Sequence, residues 1–203
     1  MNKLLIIGGG GHARSCIDVV ESERKYKIVG IVDRKSSLLN QKKTIYPIIG
    51  SDGDLKKIHK ICNNAIIAIG QIKSPKKRID LYELLQNLNY NLPVIVSPNS
   101  YVSSRSEIEE GSIIMHQVII NSNSKIGKNC IINNKSLIEH DVKIDNFCHI
   151  APGAILNGGV QVGKGTFIGS GAIIRESVKI GKNCVIGSGA VVKKDILRNT
   201  TVI

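Results

Sequence analysis

From Val102 onward every sixth residue is aliphatic: Val102, Ile108, Ile114, Ile120, Ile126, Ile132, Ile138, Ile144, Ile150, Leu156, Val162, Ile168, Ile174, Ile180, Ile186 and Val192. Two positions before each, from Ser106 to Ala190, only Ser, Val, Cys, Ala or Thr occurs. One large and one small side chain per six residues is what fills the narrow interior of a hexapeptide β-helix. Three hexads make one coil of a prism, so residues eighteen apart stack at the inter-strand spacing of about 4.8 Å.

The residue before each aliphatic points outward, because neighbours along a strand alternate. Sorted by eighteen, one face carries Tyr101, Ile119, Leu137, Ile155, Ile173 and Val191, and a second carries Glu107, Lys125, Lys143, Gln161 and Lys179. The third carries Ile113, Ile131, His149, Phe167 and Val185. Two faces are thus apolar and one is charged. Large exposed apolar faces mark association sites, and a prism with two of them side by side closes as a three-fold ring. The expectation is a homotrimer packed through both apolar faces, with His149 in or beside a subunit contact. His140 falls near the edge between an apolar face and the charged one, within reach of the same intersubunit groove.

The first half reads differently. "KLLIIGGGGHARSCIDVVE" is a buried strand, a glycine turn and a helix from about His12, with Cys16, Val19 and Val20 on one face. "KIVGIVD" is a second strand ending at Asp33, and "DLKKIHKIC", "NAIIAIG", "PKKRIDLYELLQNL" and "LPVIV" continue the alternation of helix and strand. Residues 1–97 therefore read as a Rossmann-like α/β domain and 98–203 as the all-β helix. Gly8, Gly10 and Ala13 match G-x-G-x-x-A, and Asp33 lies 20 residues beyond Ala13. Glycines let backbone approach a phosphate, a helix N-terminus attracts the anion, and an acid at the end of the second strand accepts ribose hydroxyls. A chain segment of this size is half of a full dinucleotide fold, which favours a mononucleotide or nucleotide-sugar ligand; the same glycines would also serve a plain strand-to-helix turn.

The formal charge of +12 invites a nucleic-acid reading, yet the lysines are scattered through both halves, and no Trp and only two Phe are available to stack on bases. A positive field still favours small phosphate-bearing ligands. The N-terminus lacks the long apolar core and cleavage site of a signal peptide, and no apolar run is long enough to span a membrane, so a cytoplasmic protein without membrane insertion is expected. Five cysteines without a CxxC pair fit reduced thiols rather than a disulfide framework or a metal site. Cys130, Cys148 and Cys184 belong to the small inward column, where a thiol behaves as a small hydrophobe. His59 and His116, lacking a comparable setting, are expected to be packed or solvated.

"IIGGGGHA" and "IEHDVKIDNFCHIAPGA" resemble the N-terminal glycine motif and the active-site segment of the NeuD/PglD-type sugar acetyltransferases, hexapeptide-repeat enzymes with a nucleotide-like first domain. The likeness spans nearly the whole chain. It implies a left-handed helix and an acetyl-CoA co-substrate, with no metal. His140 would be the general base and Asp141 would raise its basicity. His149 would line the acetyl-CoA site near the thioester, and Gly158, Ser170 and Ser188 would meet the pantetheine arm. Gly10, Gly11, His12 and Asp33 would hold the nucleotide of a UDP-sugar. Two features depart from the family: Arg34 follows Asp33 where some UDP-sugar-binding relatives carry a second acid, and "NTTVI" ends the chain before the "GVPAK"-like tail usual in relatives.

The chemistry fits the residues. An amine or hydroxyl attacking a thioester needs a base that titrates near neutrality, and imidazole beside a carboxylate supplies one. The leading expectation is N-acetylation of a UDP-linked 4-amino sugar for bacterial surface glycans. O-acetylation of a sialic-acid-type sugar is the close alternative, and a non-catalytic trimeric nucleotide-binding scaffold is the alternative of another class. An NAD-dependent oxidoreductase is disfavoured, since nothing in the second half supplies a domain for hydride transfer.

Overall fold

The computed structural model describes residues 1–34 and 44–203 and divides into two compact units, Met1–Gly70 with Arg78–Pro93, and Gln71–Lys77 with Val94–Ile203. The first holds a parallel sheet of β1 (Asn2–Ile7), β2 (Tyr26–Val32), β3 (Ile48–Gly50) and β4 (Ala65–Ile67) in the order β3-β2-β1-β4. Helix α1 (Gly11–Glu23) follows β1, and its buried stripe of Ala13, Cys16, Ile17, Val19 and Val20 contains the apolar face expected from sequence. A 3₁₀ turn at Asp52–Asp54 leads into α2 (Leu55–Ile58), and α3 is Lys76–Asn87. Strand β3 had no forecast in the sequence: three residues are too few to show a period.

In the second unit each hexad forms a two-residue strand, and three parallel sheets of five, six and seven strands wall the prism. Stacked partners are eighteen residues apart, as in Leu137 against Ile155 and Ile119. The inward aliphatics and their small companions form one continuous core, with the three cysteines among them. The corners are turns whose left-handed positions are taken by glycine or by residues such as Asn123 and Asp141 (φ about 60° in both).

One expectation needs correction. The strand of "LPVIV", Ile95–Val96, does not extend the nucleotide-like sheet; it pairs with Ile113–Ile114 and begins the β-helix. Its apolar run is equally suited to either sheet, and only the pairing partner decides. The third face is partly covered within the chain: Ile113, Ile131 and His149 are buried, while Phe167 and Val185 keep partial exposure. The segment from Gln71 lies on this face: Gln71 Nε2 donates to the Gly165 carbonyl at 3.0 Å. The first apolar face is the more open of the two, with Tyr101 59% and Val191 57% exposed.

Candidate active site

His140 and Asp141 occupy the corner between the open apolar face and the charged face. Leu137–Ile138 ends on one side of the turn and Lys143–Ile144 begins on the other. Asp141 takes a left-handed conformation, and its amide donates to the Ser122 carbonyl in the preceding coil at 3.0 Å. The backbone thereby turns the carboxylate onto its neighbour: His140 Nδ1 and Asp141 Oδ2 are 2.8 Å apart. With Nδ1–H donated to the carboxylate, Nε2 carries the lone pair, the arrangement a general base requires. Asn123 Nδ2 donates to the other carboxylate oxygen at 3.4 Å. The hydrogen bond from His140, and secondarily that from Asn123, holds the Asp141 carboxyl below its ordinary range. Both side chains are more than half exposed, so an acceptor can reach them.

Of the other second-half candidates, Gly158 shares this corner one coil further on, directly against the His140 ring. Ser170 and Ser188 stack at a different corner, between the partly covered third face and the open apolar face, and the Gly189 amide donates to the Ser170 carbonyl at 2.8 Å. Within one chain the open apolar face separates these serines from His140. His149 is only 7% exposed. Its Nδ1–H donates to the Gln71 carbonyl at 2.7 Å, Asn133 Nδ2 donates to Nε2 at 3.2 Å, and Phe167 packs edge-on at 5.2 Å. Both ring nitrogens are therefore committed within the chain. The signal missed in the sequence was Gln71, seventy-eight residues away.

In the first unit Gly8 stands at φ 104°, and a β-carbon there would strike Ile69. Gly9 packs against Asp33, whose Oδ2 accepts the Gly9 amide at 3.2 Å while Oδ1 accepts the Arg34 amide at 2.8 Å. The acid at the end of β2 thus also ties the glycine turn in place. Gly10 is the N-cap of α1; among the described residues no side chain caps the helix and no atom lies within 4 Å of a β-carbon built on Gly10. Gly10 and Gly11 leave the amide end of α1 open, the local geometry that receives a phosphate. His12, one residue on, has Nε2 at 3.4 Å from Cys16 Sγ. Burial pushes the Cys16 thiol up to about 12, so it is a neutral donor and not a nucleophile. His59 and His116 are tied into packing, His59 to the Asn89 carbonyl and His116 to the Ser97 hydroxyl. No group of His, Cys, Asp and Glu able to hold a metal occurs among the described residues.

Comparison with known proteins agrees with both halves. The PglD N-terminal domain family matches residues 3–85, and the bacterial transferase hexapeptide family matches 105–140, 123–158 and 159–194. PerB from Caulobacter crescentus, solved with CoA and GDP-perosamine, is 30% identical with a TM-score of 0.90 over 99% of this chain and 93% of its own. The acetyltransferase domain of PglB from Neisseria gonorrhoeae FA1090, solved with acetyl coenzyme A, is 29% identical with a TM-score of 0.87, covering 99% and 96%. WeeI from Acinetobacter baumannii AYE is 26% identical with a TM-score of 0.83, covering 99% and 96%. No curated protein sequence matches. With both domain signatures in order and a 30% identical relative aligned over almost its full length, the chain belongs to the NeuD/PglD family of hexapeptide-repeat sugar acetyltransferases.

Proposed function

We propose that this protein transfers the acetyl group of acetyl-CoA to the amino group of a nucleotide-linked amino sugar, with His140 as general base. The observation that carries the reading is the His140–Asp141 pair, 2.8 Å apart on an exposed corner of the β-helix. The free amine attacks the thioester carbonyl carbon, His140 Nε2 accepts the proton that the nitrogen loses, and the C–S bond breaks to release CoA. Asp141 stabilises the imidazolium that forms. The oxyanion needs a donor; with both nitrogens of His149 engaged, a backbone amide of the coil is the better candidate.

Relatives solved with GDP-perosamine and with acetyl coenzyme A support an amino-sugar acceptor and this donor. The glycine turn, the open end of α1 and Asp33 would receive the nucleotide, either UDP or GDP. Ser170 and Ser188 remain the proposed contacts of the pantetheine arm, whereas Gly158 lies against the His140 ring. Since His140 and the serines flank the open apolar face on opposite edges, a second copy on that face would bring one subunit's base to another's serines; three copies close the ring. No described helix is long and apolar enough to cross a membrane, in keeping with a proposed cytoplasmic role in making surface-glycan precursors.

The test is thiol release from acetyl-CoA against a panel of UDP- and GDP-linked 4-amino sugars, with sialic-acid-type hydroxyl acceptors alongside. General base catalysis is worth roughly 10²–10⁴-fold, so His140→Ala should lose turnover by that factor and keep its fold. Unchanged turnover in that variant would refute the assignment of the base.

A further inference from the structure

Four stacked positions at the His140 corner share one place in the coil: Ser122, His140, Gly158 and Glu176. None of them has a left-handed backbone, so the conformation here asks for no glycine. The left-handed residue is the next one, Asp141 after His140 and Gly159 (φ 71°) after Gly158. Gly158 is explained by space instead. A β-carbon built on it would stand 2.7 Å from both Cε1 and Nε2 of His140 and 3.3 Å from Nδ1. The imidazole lies on the bare α-carbon of the coil that follows, and in the coil that precedes, Asn123 holds the carboxylate that holds the ring.

We propose that Gly158 and Asn123 are positioning residues for His140, acting from the coils on either side of it. The proposal rests on the reading of His140 as the base. Ordinary contact begins near 3.4 Å, so alanine at 158 must displace the ring by about 0.7 Å. A misplacement on the order of 1 Å costs up to about a hundredfold in rate, so Gly158→Ala should lower kcat by roughly ten- to a hundredfold with the KM for acetyl-CoA unchanged. Asn123→Gly removes the amide while keeping the left-handed turn and should lower kcat by about fivefold, the worth of one hydrogen bond.

Steady-state kinetics of the full-length protein, with both changes also made in a His140→Ala background, decide the matter. The expected result is a fall in kcat that vanishes once His140 is already alanine, since a positioning residue has then nothing to position. A raised KM for acetyl-CoA at unchanged kcat would make Gly158 a contact of the donor arm and overturn its positioning role. A loss that persists undiminished without the imidazole would overturn it as well. Should Gly158→Ala fail to fold, Asn123→Gly decides: full kcat refutes the clamp. Full kcat in His140→Ala itself is a separate result, which removes the base reading beneath.

Discussion

Ile119 and Ile120 are chain neighbours of identical chemistry on opposite sides of one coil wall, Ile119 43% exposed and Ile120 fully buried. Truncating each to alanine separates the energy of the core from that of the surface. Ile120→Ala removes three carbon atoms from the interior, about 2.4 kcal/mol at about 0.8 per buried group. A cavity term adds to this, because the coils cannot close the gap: Ser103 and Asn121 amides fix the spacing by 2.9 Å hydrogen bonds to the Ile120 and Ile138 carbonyls. The total belongs in the upper part of the roughly 2–5 kcal/mol range for such truncations. Ile119→Ala creates no cavity within the chain and should cost less than about 1 kcal/mol in dilute protein. Its effect should appear in self-association, as a shift of the sedimentation profile toward smaller species. Guanidinium denaturation at low concentration, followed by circular dichroism, provides the comparison. Equal losses for the two variants would refute the inward–outward assignment, and an unshifted sedimentation profile for Ile119→Ala would refute the use of this face between copies.

Other perturbations reach different parts of the molecule. Gly169→Ala should destabilise the β-helix strongly, because its β-carbon would stand 2.6 Å from backbone atoms of Gly187 and Ser188; a thermal melt close to that of the parent would contradict the coil spacing. Asp141 has its carboxyl held down in the folded state, so the His140–Asp141 hydrogen bond persists above the ordinary carboxylate range and is lost only as pH falls through the lowered value. A carboxyl titration by NMR should place its midpoint below that of free aspartate, and a midpoint at or above that value would show that the pair is not formed. All five thiols are buried, with Cys16 pushed up to about 12 and Cys148 raised by burial. A chromogenic disulfide should therefore react slowly with the folded protein and with all five thiols after denaturation; rapid reaction of any one would place it at the surface.

The sequence alone carries the β-helix, its register and the corner that holds His140 and Asp141. The reason is the period: a side chain admitted once in six residues to a narrow interior leaves no freedom to slip, so inside, outside and stacking partner all follow from residue number. It also located the glycine turn and the buried stripe of α1. Pairing and packing between distant segments decided that Ile95–Val96 opens the β-helix, that His149 is buried beside Gln71, and that one apolar face is more open than the other. Each of these depends on a contact between segments far apart in the chain, where an apolar strand or an imidazole is equally at home in several surroundings. The same holds for Gly158, whose missing side chain is accounted for by a ring eighteen residues away and by no feature of its own neighbours.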